Sequence, residues 1–240
     1  MSKGICRVSP GSLCAVALLS LAGCGLIGVD GNGQRANEVR ALEGFSAVDS
    51  DGSLDVEITR GDVFHVEVSI DSNLLDRVHT DVVGGALRID EDSIGDTVAG
   101  PHIIVTMPIL RRATLSGSGG LRAVGFQQTE SVALVLDGSG DISFAGDVPR
   151  VDVQLWGSGD ARVSGTAPAL GVELDGSGTV DARGLDATTA DLSLSGSGDI
   201  AASVSGSARV SLSGSGDVDV YGGATLDRVD ISGSGSVRQH

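Results

Sequence analysis

The chain is poor in aromatic residues, with one Trp, one Tyr and four Phe among 240 residues. An interior made from this composition has to be filled by Val, Leu, Ile and Ala. Proline is scarce too, at five residues, which argues against collagen-like and Pro-rich linker architectures. Basic groups are outnumbered: 16 Lys and Arg face 32 Asp and Glu, for a formal net charge of −16. Phosphate binding needs a basic face, so nucleic acid is not the expected partner. Disorder is excluded from the other side, because 40% of the residues are hydrophobic and so apolar a chain collapses. What the sequence has in excess is glycine, 37 residues, about twice the ordinary ~7% share.

Long apolar runs are also missing. Leu13 to Leu21 is a nine-residue apolar stretch preceded by Lys3 and Arg7. It is too short to span a bilayer as a helix and has the layout of a secretory signal. Leu21-Ala22-Gly23-Cys24 follows and resembles the lipobox of bacterial lipoproteins, where cleavage precedes a cysteine that becomes lipid-modified. The resemblance implies a mature chain beginning at Cys24, anchored in a membrane by its acyl chains and exported to the cell envelope. Gly25 in place of an Asp resembles the outer-membrane sorting default. Cys6 and Cys14 would leave with the signal, so no intrachain disulfide remains. Loss of Lys3 and Arg7 takes the formal charge from −16 to −18.

The remainder divides by pattern. Residues 1–23 read as the signal and 24–43 as the lipidated Cys and a flexible, polar tether. Residues 44–240 read as one β-rich domain. Within it, 44–112 carries period-two runs such as Leu54-Val56-Ile58, Val66-Val68-Ile70 and Ile103-Val105-Met107, the mark of half-buried strands. Leu74, Leu75 and Val78 have helical spacing, which predicts one or two helical turns between Ser72 and Val82.

From 113 to 240 a repeat takes over. Gly-Ser-Gly begins at Gly117, Gly138, Gly157, Gly176, Gly196, Gly214 and Gly233, at intervals of 21, 19, 19, 20, 18 and 19 residues. Such self-similarity signals a stacked architecture. Apolar residues stand two and four positions before each first glycine, as in Val153 and Leu155, and four after it, as in Ala161. Each unit is therefore a strand, a turn and a second strand. There is no room for a helix, which excludes βαβ and leucine-rich arrays, and propeller blades are too long for the period. The fold class expected is all-β: a parallel β-helix, or solenoid, with coils of about 19–20 residues whose seven repeats span about 30 Å.

The lipobox, the segment PHIIVTMPILRRATLSGSG and the repeated Gly-Ser-Gly turns together resemble the auto-transporter adhesin head family, also called the GIN domain. The likeness runs from about Phe45 to the C-terminus. It implies a β-helical fold and carries over no catalytic residues.

Candidate chemistry is sparse. The Gly-Ser-Gly turns lack the helix and Lys of a phosphate-cradling loop; their expected role is close coil stacking with serine hydroxyls bonding from coil to coil. After each turn come Gly120, Asp141, Asp160, Thr179, Asp199, Asp217 and Ser236. Asp141, Asp160, Asp199 and Asp217 are weak metal candidates, since stacked carboxylates repel and calcium could relieve them; the favoured reading is a solvated acidic edge. Trp156 stands outward by parity and is the candidate for ligand contact, by stacking on a sugar or a partner. The four His are scattered and no Gly-x-Ser-x-Gly elbow occurs. Asp141 and Asp160 with Arg162 imitate a polysaccharide-cleaving cluster at best.

The expectation is a lipid-anchored, non-enzymatic β-helix without a cofactor, most naturally at the outer membrane, displaying a surface for adhesin-like binding to envelope proteins or glycans. One alternative is a polysaccharide-binding or polysaccharide-cleaving β-helix with Trp156, Asp141 and Asp160 in a single groove. Another is an envelope scaffold: a last coil without a capping helix would stack end to end with another copy.

Overall fold

The computed structural model describes residues 28–98 and 100–240; Cys24 and the signal segment lie outside the described residues. One coil shows how the rest is made. Strand Arg150–Gly157 alternates, with Val151, Val153 and Leu155 buried and Asp152, Gln154 and Trp156 turned out. Gly157-Ser158-Gly159 then reverses the chain, and Asp160–Thr166 buries Ala161 and Val163 from the opposite side. Successive coils stack in parallel register. Trp156 aligns with Asp137 in the coil before and Asp175 in the coil after. Across the turn Asp160 aligns with Asp141 and Thr179.

The result is an all-β solenoid with mostly parallel strands in two back-to-back stacks and an aliphatic interior between them. Two strands, Thr179–Gly196 and Asp199–Gly214, run unbroken from one stack round the edge into the other. Phe126 and Phe144 are wholly interior and stack on each other.

Both glycines of each turn are required by the close approach of coils. Gly138 has φ +140°, and a Cβ there would run into the Gly117 carbonyl oxygen. A Cβ at Gly140 would meet the Gly119 carbonyl and, at 3.0 Å, Leu115 Cδ2. The ladder between turns is made by backbone: the Ser139 and Gly140 amides both donate to the Gly117 carbonyl, at 3.0 and 3.1 Å. This corrects the expected serine ladder. Among the described residues the turn serines share one hydroxyl contact, Ser215 with Ser234 at 3.3 Å. Amides sit nearer the neighbouring coil than the outward hydroxyls do.

The first coils are not laid down in spatial order. Strand Ala47–Gly52 lies between Ala86–Glu91 and Arg112–Gly117, and Asp55–Arg60 lies between His102–Met107 and Gly120–Gln127. The chain makes one coil, places the next behind it, then crosses to the front to begin the repeats. The intervening His65–Asp71 and Val78–Val83 close the rear by antiparallel pairing. Between them the helical spacing yields only the 3-10 turn Leu75–Arg77; a strand begins at Val78.

Part of the expected tether is also structured. Val29 bridges to Ile94, and Arg35–Arg40 is a strand antiparallel to His65–Asp71. Apolar alternation does not reveal it because it docks through backbone and polar side chains. Arg35 Nη1 donates to Ser69 Oγ at 3.0 Å, Ser69 Oγ to Asn37 at 2.9 Å, while Val39 points to solvent.

The other end is open. In the last coil Val229 and Ile231 are 40% and 49% exposed, where their counterparts one coil earlier, Val210 and Leu212, are at 2% and 1%.

Candidate functional site

The parallel register turns alternate residues of each strand into columns along the rod. On the first stack one outward column passes through Asp152, Gly171, Asp191, Arg209 and Arg228. The next passes through Gln154, Glu173, Ser193, Ser211 and Asp230. A groove of about 580 Å³ follows these two columns. Trp156 stands in the adjoining third column, two residues beyond Gln154 on the same strand, and is 38% exposed.

Gly171 opens the groove floor. It is not among the residues with positive φ, and its missing Cβ would meet only side-chain ends, the Asp152 Oδ1 and Arg150 Nη2 atoms. Neither backbone conformation nor coil stacking therefore demands glycine here, in contrast to the turns. An interior strand glycine costs roughly 0.5–1 kcal/mol relative to Ala and often marks a close approach by something else.

The groove walls carry their charges in pairs. Arg150 meets Asp152 at 2.5 Å, Arg209 reaches Asp191 one coil back at 3.2 Å, and Arg228 meets Asp230 at 2.5 Å. The Asp152 hydrogen bond raises the Arg150 pKa above the ordinary guanidinium value. Gln154 Nε2 donates to Glu173 at 3.3 Å.

The second stack carries the acidic column. Two of its carboxylates cap amides of the following coil: Asp199 accepts from the Asp217 amide at 3.1 Å, and Asp217 accepts from the Ser236 amide at 3.1 Å and its hydroxyl at 2.6 Å. Hydrogen bonds from Ser236 and Arg238 hold the Asp217 carboxyl below the usual range. Arg183 does the same to Asp181. Asp141 and Asp160 are aligned on neighbouring strands, with Arg162 3.6 Å from Asp160. Among the described residues no three His, Cys, Asp or Glu side chains converge as a metal site would require.

One expected grouping is corrected. Trp156 and Asp160 flank the same turn, but the turn reverses the chain, so Trp156 belongs to the outer face of the first stack and Asp141 and Asp160 to that of the second. They share no groove. The sequence carries one signal of the groove over Gly171: Leu170, Val172 and Leu174 keep the inward alternation, and the outward position between the first two is a glycine away from any turn.

Solved structures of bacterial proteins share the fold. A "putative adhesin" from Bacteroides fragilis is 17% identical with a TM-score of 0.79, covering 89% of this chain and 100% of that one. A "putative lipid binding protein" from Parabacteroides distasonis is 24% identical with a TM-score of 0.67, covering 88% and 99%. A "putative adhesin" from Parabacteroides merdae is 17% identical with a TM-score of 0.63, covering 88% and 98%. At these identities the likeness is one of fold. Among curated proteins none matches the chain. The family model described as "Putative auto-transporter adhesin, head GIN domain" matches residues 44–224.

Proposed function

The chain belongs to the auto-transporter adhesin head GIN-domain family, and from that premise we propose that it is a lipid-anchored, non-enzymatic binding rod of the bacterial cell envelope, at the outer membrane. The observation that carries this reading is the direction of the solenoid. Strand Arg35–Arg40 and the Val29 bridge sit at the closed rear end. Cys24 precedes Val29 by five residues, a reach of at most about 18 Å. A lipid on Cys24 would hold the closed end at the membrane. The columns would then project outward for about 50 Å, given eleven strands in the longer stack at ~4.8 Å spacing.

Rigid flat faces carried away from a membrane suit contact with another surface. At this end the apolar interior is covered, with Ile70, Leu74 and Val78 each at 1% exposure or less, which gives the rod a firm base. Palmitate labelling tests the anchor: the parent takes label and sediments with outer membranes, and Cys24→Ala loses both. Retention of cells displaying the parent on isolated envelope or mucosal glycoprotein surfaces, absent in cells lacking the protein, tests the binding role. Lack of label together with normal processing of Cys24→Ala defeats the anchor reading. Equal retention of both cell types defeats the adhesive one.

A second reading is favoured by Val229 and Ile231, interior-column residues left exposed at the far end. That end offers apolar side chains and unpaired strand edges to a second copy. The rear interior is covered instead, with Leu74 and Val78 at 0% and 1% exposure, so the end-to-end stacking proposed here is far end against far end. The product is a closed pair rather than a filament.

A further inference from the structure

We infer that the groove over Gly171, together with Trp156, is a binding site for an extended neutral oligosaccharide; this rests on the binding reading above and names its ligand class. The groove is open along the rod axis and crosses five strands, from Asp152 to Arg228. Five strands at ~4.8 Å spacing give a length of about 20 Å, so successive sugar rings of a linear chain can meet successive coils. Its volume of about 580 Å³ is in the range of ordinary ligand clefts, roughly 300–1,000 Å³.

The lining chemistry selects the ligand. Asp152, Asp191 and Asp230 are each already paired with an arginine, so the walls present fixed planar donors and acceptors with little net charge. Vicinal hydroxyls both donate and accept, and they can bridge such pairs without breaking them. A charged ligand has to displace a partner from one pair or face Glu173, whose nearest bonded neighbour is the neutral Gln154. That favours neutral sugars over acidic ones. The half-exposed indole of Trp156 beside Gln154 supplies the apolar face on which a pyranose ring stacks. Gly171 supplies the space: Arg150 and Asp152 lean over the gap, and these side-chain ends can move aside where a backbone atom could not.

Trp156 is the only tryptophan of the chain, so its fluorescence reports this face alone. The purified full-length protein is titrated with cellohexaose, mannohexaose, xylohexaose and maltohexaose, and with hexagalacturonate as the acidic arm, followed by indole emission and calorimetry. At least one neutral hexasaccharide is expected to saturate and shift the emission, with the acidic one weaker. Gly171→Leu, which fills the floor, and Trp156→Ala, read by calorimetry, are each expected to weaken binding about tenfold or more at an unchanged melting temperature. Silence from all four neutral hexasaccharides overturns the inference, as does parental affinity in both variants. Cell retention separates the two levels. If the parent still mediates retention but binds no hexasaccharide, the binding role stands and this site assignment falls. If retention is also absent, the broader reading falls with it.

Discussion

Phe144 lies one coil from Phe126 inside the solenoid, with ring centroids 6.4 Å apart and planes 22° from parallel. These two rings are the largest fully interior side chains among the described residues, and they sit on neighbouring strands, Phe144 aligned with Ala123 and Phe126 with Gly146. Removing one leaves a void that adjacent coils cannot close, because both are pinned by backbone ladders on either side. Phe144→Ala is expected to cost about 3–5 kcal/mol, and Phe144→Leu clearly less. Urea denaturation followed by circular dichroism measures both, and equal stability of the Ala variant and the parent contradicts this packing.

Two glycines separate stacking from ligand space. Gly140→Ala pushes a methyl group onto the Gly119 carbonyl and Leu115, where neither can retreat, and is expected to cost about 2–4 kcal/mol. Gly171→Ala meets only the ends of Asp152 and Arg150 in a strand where glycine is unfavourable; the expected change is within about 1 kcal/mol of zero. Thermal melts of the two variants side by side decide the matter. A Gly171→Ala loss as large as that of Gly140→Ala would mean that Gly171 serves the fold.

The repeat architecture was legible because a coil is specified locally. Val153 and Leu155 face in, Gly157 and Gly159 turn, Ala161 faces in again, and every later coil repeats the same message. The order of the first coils was not legible, since Ala47–Gly52 pairs equally well with the strand behind and the strand in front; period two is silent on sequence of stacking. Strand Arg35–Arg40 is not legible because its pairing energy lies in backbone and polar contacts, which leave no hydrophobic period. The outward parity of Trp156 was readable from its neighbours. That its face is opposite to that of Asp160 required following the chain through the turn.

Acid should loosen the rod through carboxylates held by hydrogen bonds. The Asp217 and Asp181 pKa values are lowered in the folded chain, chiefly by Ser236 and by Arg183 respectively. A lowered folded pKa contributes stability that is complete above the unfolded value of about 3.9. That contribution is lost as pH falls from there through the folded pKa. Both side chains are partly solvated, so salt should screen part of the contribution. Melting temperature is expected to be flat down to about pH 4 and to drop below it. Asp217→Asn should melt lower than the parent near neutrality and show a smaller acid-induced drop. An identical acid profile in parent and variant removes Asp217 from the account.

The open far end predicts an oligomeric state that can be measured directly. Val229 and Ile231 belong to columns that are buried in every preceding repeat, yet here they stand 40% and 49% exposed. The strand Thr225–Gly233 that carries them pairs with Asp199–Gly214 on one side, leaving its other edge for a partner. Covering that edge with a second far end satisfies both copies at once. At the rear the interior residues Leu74 and Val78 are covered, at 0% and 1% exposure, so the assembly is expected to stop there. Light scattering after gel filtration is therefore expected to show a monomer–dimer equilibrium that moves with concentration and stops at the dimer. Ile231→Lys places a charge in the contact but removes little buried surface from the monomer, so it should abolish the dimer with a melting temperature shifted by no more than a few degrees. A parent that stays monomeric at millimolar concentration counts against far-end pairing. Growth beyond the dimer would instead show that the rear is not closed to association.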